Sequence, residues 1–238
     1  MSDLEALIEL QAIDVRLTQL GHRLANLPEL EEQATLVGSL ADLDTRSGSV
    51  ETEAGVVRRE QRRNEDEVSN LEAKIANSER HLYDGGVTSP KEAQALQDEI
   101  AGLRRRKDEA EDRVLELMEQ LEPLDAELGE LSERRTALED QADRVGARIA
   151  ELSAEIETLT TEEESARRSL VEGIPADLVQ VYEQRRRAMR GGVAISRLQG
   201  SSCGSCHLEI SAVELEAIRA LPANELGECP ECGALVLP

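Results

Sequence analysis

From Leu96 onward, apolar residues recur at alternating steps of four and three. The positions are Leu96, Ile100, Leu103, Ala110, Val114, Leu117, Leu121, Leu124, Leu128, Leu131, Leu138, Ala142, Val145, Ile149, Leu152, Ile156 and Leu159. Only Lys107 and Arg135 break the series. A 3.5-residue period held this long is a coiled-coil seam with a left-handed supercoil. Pro123 lies inside it and predicts a local kink, because proline removes one backbone donor. Upstream, Leu10, Ile13, Leu17, Leu20, Leu24 and Leu27 form a second seam that Pro28 interrupts. Residues 38–55 hold fewer large apolar side chains and more Gly, Ser and Thr, yet helix is the expectation there too. Val57, Val68, Leu71, Ile75 and Leu82 resume the stripe.

Between the two long segments lies Tyr83-Asp84-Gly85-Gly86-Val87-Thr88-Ser89-Pro90. Two glycines and a proline predict a reversal near 83–90. Ser89 stands where a cap would, with Pro90 in the first turn and Glu92 three residues on. Two helices of similar length joined by a short turn fold back as an antiparallel hairpin. A parallel homodimer through the same seams is the alternative, so both a monomer and a homodimer stay open. The fold class is therefore mainly α: a long antiparallel coiled-coil hairpin with a small C-terminal zinc ribbon. The expected divisions are the hairpin at 1–172, a connector helix at 173–192 and the ribbon at 193–238. In the connector, Leu178, Val179 and Tyr182 make the apolar side of a helix from Ala176 to Met189. Val193 to Ser196 is β-prone, and Ser211 to Ala220 reads as a short helix.

Composition sharpens this reading. The 238 residues include no Phe, no Trp and two Tyr, with 39% hydrophobic and 32% charged residues. Aromatics supply much of the bulk of an ordinary core, so one large core is excluded, while long helices that each bury a narrow stripe are favoured. The net charge of −23 disfavours binding of DNA or an anionic membrane by the surface as a whole. No stretch approaches the roughly 20 apolar residues that span a bilayer. The opening MSDLEALIEL lacks a basic segment and an apolar core, so no signal peptide is expected. A cytoplasmic protein without a membrane partner follows as the expectation.

Chemistry concentrates at the C-terminus. Cys203-Gly-Ser-Cys206 and Cys229-Pro-Glu-Cys232 are two CxxC pairs separated by 22 residues. Each pair presents two thiolates to one ion, and two pairs complete a tetrahedral shell. One structural zinc ion is the expected cofactor, with Cys203, Cys206, Cys229 and Cys232 as ligands. Paired disulfides suit a secreted chain, a redox CxxC suits a βαβ context, and an iron–sulfur cluster is a weaker fit to two separated knuckles. His207 reads as a bystander beside a complete cysteine set. Leu208, Ile210, Leu226, Leu235, Val236 and Leu237 are expected to pack around the metal.

Three basic clusters could contact a partner. Arg58, Arg59, Arg62 and Arg63, and Arg104 to Lys107, are surrounded by acids and read as solvated ion pairs. Arg185, Arg186, Arg187 and Arg190, with Arg197 beyond, are less compensated and adjoin the cysteines. These five are the candidate contacts for nucleic acid or a protein. No phosphate-binding glycine loop, HExxH or Ser/His/Asp set is present, and no enzyme is expected.

The chain resembles the bacterial four-cysteine zinc-ribbon proteins that carry a coiled-coil hairpin and are described as predicted nucleic-acid-binding proteins. The resemblance rests on Leu10-Gln11-Ala12-Ile13-Asp14, Leu82-Tyr83-Asp84-Gly85-Gly86 with Pro90-Lys91-Glu92, and Ala95-Leu96-Gln97-Asp98-Glu99-Ile100. It continues through Ile174-Pro175, Tyr182-Glu183, Gly191-Gly192-Val193-Ala194 and the two CxxC motifs. It implies a non-enzymatic adaptor, with transcription or secretion machinery, an alternative sigma factor or mRNA as partner. Ala234 departs from the basic residue common after the final Cys-Gly, which weakens an RNA contact there. The residues together give a leading reading of an adaptor with a protein partner, and a second of an RNA- or DNA-binding regulator.

Overall fold

The computed structural model describes residues 3–189, 192–222 and 225–237. The chain runs α1 (Asp3–Ala25), α2 (Pro28–Tyr83), α3 (Pro90–Glu172), α4 (Ala176–Ala188), β1 (Ile195–Gln199), β2 (Ser202–Cys203), α5 (Ala212–Arg219), β3 (Gly227–Glu228) and β4 (Leu235–Leu237). It divides into two compact units, Glu32–Val145 and Met1–Glu31 with Gly146–Pro238.

The first unit is the helical hairpin. On α2, burial follows a 3/4 rhythm through Leu36, Leu43, Val50, Ala54, Leu71 and Ile75. The stretch from Gly38 to Gly55 is thus continuous helix, because Leu40, Leu43, Ser47, Val50 and Ala54 keep the register with smaller side chains. On α3, Ile100, Ala110, Leu117 and Leu121 are buried, while Leu103, Val114, Leu124 and Leu128 are half-buried. A two-stranded coil covers each seam from one side, so half-burial of many seam positions is the natural outcome. The helix continues through Pro123, an exposed residue.

Ion pairs record the antiparallel direction. Arg46 meets Glu127 at 2.6 Å, Arg113 meets Glu60 at 2.8 Å, and Lys107 meets Glu72 at 3.3 Å. Arg135 meets Asp44 at 2.5 Å and Arg104 meets Glu79 at 2.5 Å. Partners rise in number on one helix as they fall on the other. Within the two basic clusters, Arg58 pairs with Asp125, Arg104 with Glu79, Arg106 with Glu67 and Lys107 with Glu72, all across the helices, and Lys107 also pairs with Glu111 on its own helix. Each such exposed pair contributes only about 0.2–1 kcal/mol, but together they disfavour any slip in register. At the turn, the Asp84 amide bonds the Arg80 carbonyl at 2.8 Å and closes α2. The Ser89 carbonyl accepts from the Glu92 and Ala93 amides as α3 begins.

The second unit joins α1, the end of α3, α4 and all four strands. The sheet order is β2-β1-β4-β3, with β1 and β4 parallel and the other two pairings antiparallel. Its main core combines Leu4, Leu7 and Leu10 of α1 with Ile174, Tyr182, Ala194, Ile195, Leu235 and Leu237. A second cluster of Ile210, Leu215, Ile218 and Val236 packs around Cys203 and Cys229. A third, Leu27 with Leu152 and Ile156, seats the α1–α2 junction on α3. Pro28 sits at the first position of α2, where its missing N–H costs nothing.

Of the apolar residues expected around the cysteines, Ile210 and Val236 pack there, whereas Leu226, Leu235 and Leu237 join the core shared with α1, and Leu208 joins neither. It is 53% exposed, because its backbone serves the cysteine loop and turns the side chain to solvent. The connector helix ends at Ala188, with Met189 as its cap. Among the described residues, no helix is long and apolar enough to cross a membrane.

Candidate metal centre and its polar anchor

Two loops of the same build bring the cysteines together. In the first, the His207 amide bonds the Cys203 carbonyl at 2.9 Å and the Cys203 amide bonds the Leu208 carbonyl at 3.0 Å. In the second, the Gly233 amide bonds the Cys229 carbonyl at 2.8 Å and the Cys229 amide bonds the Ala234 carbonyl at 2.8 Å. The residue after each second cysteine is left-handed, His207 at φ 61° and Gly233 at φ +73°. A glycine meets this demand freely, whereas a histidine is held there at a cost. Gly204 answers a different demand. A Cβ on it would lie 2.4 Å from the Arg197 carbonyl oxygen, so only glycine lets the first loop close on β1.

All four cysteines are free, and their sulfurs lie within 4.8 Å of one another. Cys203 Sγ is 3.9 Å from Cys232 Sγ, and Cys206 Sγ is 4.0 Å from Cys229 Sγ. A tetrahedron of thiolates around one ion, with metal–sulfur bonds of about 2.3 Å, has edges of about 3.8 Å. The group can hold a metal ion. His207 is exposed and outside it.

The thiols are electrically unequal. Burial pushes Cys203 up, but the Cys206 and Ser205 amides outweigh it and bring the group down to about 7. The Ser205 amide donates to Cys203 Sγ at 3.3 Å. Burial holds Cys229 above the usual thiol range, and burial with the neighbouring sulfurs pushes Cys232 up to about 12. Of these three, Cys203 is the thiol that ionises most readily. A bound cation stabilises every thiolate it ligates.

A buried polar cluster next to this module ties α1, α3 and α4 together. Asp14, 1% exposed, accepts from the Tyr182 hydroxyl at 2.7 Å and from Arg167 Nε at 2.8 Å. Arg186 Nη2 stands 3.3 Å from the same carboxylate. Glu183 joins both arginines, Arg167 directly and Arg186 at 3.7 Å. The bond to Asp14 raises the Arg167 pKa against the opposing effect of burial. Burial, then the bond to Asp14, raises that of Tyr182. One turn earlier, Gln11 Oε1 accepts from the Ala194 amide at 2.6 Å, pinning the chain as it enters β1.

These contacts account for most of the candidate arginines. Arg186 belongs to the Asp14 cluster. Arg185 Nη1 bonds Glu228 at 2.8 Å and lies against Gly233 of the second cysteine loop. Arg197 pairs with Glu5 of α1. Arg187 is exposed and makes no ion pair among the described residues. Arg190 lies outside the described residues. The first four are thus not gathered into one free basic surface.

The sequence alone does not mark Gln11 and Asp14 as functional positions. Their signal was nonetheless present: with Leu4 and Leu7 they occupy a 3/4 stripe, where a polar residue is unusual. The chain matches the CT398-like coiled coil hairpin domain over residues 10–191. It belongs to that family. An uncharacterized protein of Mycobacterium tuberculosis is 32% identical over 98% of this chain and 94% of its own length. Another from Mycobacterium leprae is 29% identical over 94% of this chain and 96% of its own. Among solved structures, a protein from Mycobacterium smegmatis is similar with a TM-score of 0.89 and 27% identity, covering 99% of this chain and 97% of that one. CT398 from Chlamydia trachomatis follows the same fold at a TM-score of 0.70 and 18% identity, covering 99% and 97%. The CT398-like match ends at residue 191, so it speaks for the hairpin and leaves the cysteine module to its own geometry.

Proposed function

We propose that this CT398-like chain is a non-enzymatic cytoplasmic adaptor whose cysteine module is a zinc ribbon closed by one structural ion. The observation that carries the reading is the matched pair of loops with four sulfurs at tetrahedral spacing. Zinc suits an all-thiolate set, and four protein ligands leave no position for a substrate or an activated water. Cys203, Cys206, Cys229 and Cys232 would each give one thiolate. The ion's contribution is to the folded state of the β-module. In zinc-finger peptides such binding is worth about 10–16 kcal/mol.

The adaptor reading follows from what surrounds the ion. The Arg185, Arg186 and Arg197 side chains are spent on Glu228, Asp14, Glu183 and Glu5, which argues for a braced module and against a phosphate-binding surface. The hairpin at 1–172, the connector at 173–192 and the ribbon at 193–238 then act as spacer, brace and recognition end for a protein partner.

Metal analysis and X-ray absorption of the purified chain test the reading. One zinc per chain with four sulfur neighbours is the expected result. A shell containing oxygen or nitrogen, or folding of the β-module indifferent to a strong chelator, would overturn it.

A further inference from the structure

The hairpin carries an apolar stripe that it does not cover itself. In α3, Leu117 is 1% exposed and faces the seam, but Leu115 is 58% and Met118 51% exposed. They stand one residue beyond the seam positions Val114 and Leu117, so they form a second stripe alongside the first. Such a broadened apolar face is the pattern of a helix that contacts two neighbours rather than one. At the height set by the Arg113–Glu60 bridge, α2 fills two half-buried seam positions with Gln61 and Asn64. The seam is therefore at its most polar on α2 where α3 is most apolar on its outer side.

A groove of about 650 Å³ opens here, floored by Val68, Val114 and Leu115 and rimmed by Glu65, Asp108, Glu111 and Asp112. Glu111 is neutralised by Lys107 at 2.9 Å, and Glu65 accepts a bond from Gln61. Asp108 and Asp112 have no cationic partner among the described residues. The groove thus offers an apolar floor and uncompensated negative charge on its edge.

We propose that this groove docks a basic amphipathic helix from another protein, laid along α2 and α3 as a third strand. Apolar residues at 3/4 spacing would cover Val68, Leu115 and Met118, and flanking Lys or Arg would meet Asp108 and Asp112. A second copy of this chain is the poorer occupant. Its net charge is −23, and a two-fold contact through this face would bring like-charged rims together. The inference rests on the adaptor reading only in calling for a protein partner, and it does not depend on the metal.

The test uses the full chain and a synthetic helix of about three heptads, with Leu at a and d, Lys at the flanking positions and one terminal Trp. Because the chain has no Trp, Trp emission reports the peptide alone. Two control peptides replace Lys by Glu, or Leu by Ser with Lys kept. The Lys/Leu peptide is expected to bind at least about tenfold more tightly than either control. Leu115→Ser with Met118→Ser should weaken it about tenfold or more. Asp108→Asn with Asp112→Asn should weaken it and flatten its salt dependence. All substituted side chains are exposed, so circular dichroism should stay that of the parent.

Equal binding of the Lys/Ser peptide would reduce the effect to charge alone and overturn the proposal. So would no saturable binding at peptide concentrations on the order of 100 µM, or affinity untouched by the Leu115 and Met118 changes. Self-association of the chain that disappears in Leu115→Ser/Met118→Ser would overturn it in favour of a second copy. Zinc content measured on the same samples keeps a failed metal assignment distinct from a failed groove.

Discussion

Replacing Asp14 with Asn tests whether the buried carboxylate ties α1 to α3 and to the connector helix α4. Asn keeps the shape and one oxygen that can still accept from Tyr182. It removes the charge facing Arg167 and Arg186. The Asp14 side chain is 1% exposed, and those of Arg167 and Arg186 are 24% and 32% exposed. Breaking a fully buried pair costs about 3–5 kcal/mol because the surviving charge is stranded. Here both arginines retain Glu183 and some contact with water, so the cost is reduced. A loss of about 2–4 kcal/mol remains, equal to one or two charge-assisted hydrogen bonds. Urea unfolding followed by tyrosine emission in a Tyr83→Phe background reads the effect locally, since Tyr182 is then the sole tyrosine. The transition should move to lower urea, while the loss of helix ellipticity, dominated by α2 and α3, moves less. A cost below about 0.5 kcal/mol, the scale of an ordinary surface change, would refute the reasoning. So would an equal shift in both signals.

Three further outcomes follow from the same geometry. Gly204→Ala should destabilise the β-module by at least about 2 kcal/mol and weaken metal retention, because its Cβ meets a backbone carbonyl that cannot step aside; chelator competition measures this, and parent-like retention would contradict the close approach. His207→Gly should be about 1 kcal/mol more stable than His207→Val, since φ 61° suits glycine and opposes a β-branched residue, and both should keep their metal if the histidine is no ligand. Tyr182 has its pKa raised in the folded chain, so its contribution is complete below the unfolded value of about 10 and is lost as pH rises beyond it. Stability measured from pH 9 to about 11 should therefore fall, with a slope approaching 1.4 kcal/mol per pH unit from this group, and Tyr182→Phe should flatten the fall.

The hairpin was readable because its determinant is local and repeated: every heptad restates the same instruction. Residues 38–55 were harder because Ser47 and Ala54 keep the period without advertising it by size. The clustering of the cysteines is legible from spacing alone, since two CxxC loops suffice to bring four sulfurs together. The fate of the arginines is not. Arg185 finds Glu228 and Arg197 finds Glu5, acids that lie far along the chain and resemble any other surface carboxylate. Gln11 and Asp14 sit in register with Leu4 and Leu7, which marks them as buried but does not reveal their partners. Their role exists only once α1 is covered by both α3 and the strands.

The bond from Gln11 to Ala194 spans a sequence separation of 183 residues. Its two ends are made at opposite times in synthesis. α1 leaves the ribosome early, with Leu7, Leu10 and Gln11 waiting for a surface that has not yet been translated. Closing so long a loop directly carries an entropic penalty that grows with its length. Zipping of α2 on α3 from the Gly-Gly turn shortens that loop, so the hairpin acts as a folding relay before it serves as anything else. The cysteine segment expressed alone would lack the α1 half of its core. It should be treated as one layer of the unit it shares with α1, α4 and the end of α3, and not as a portable module.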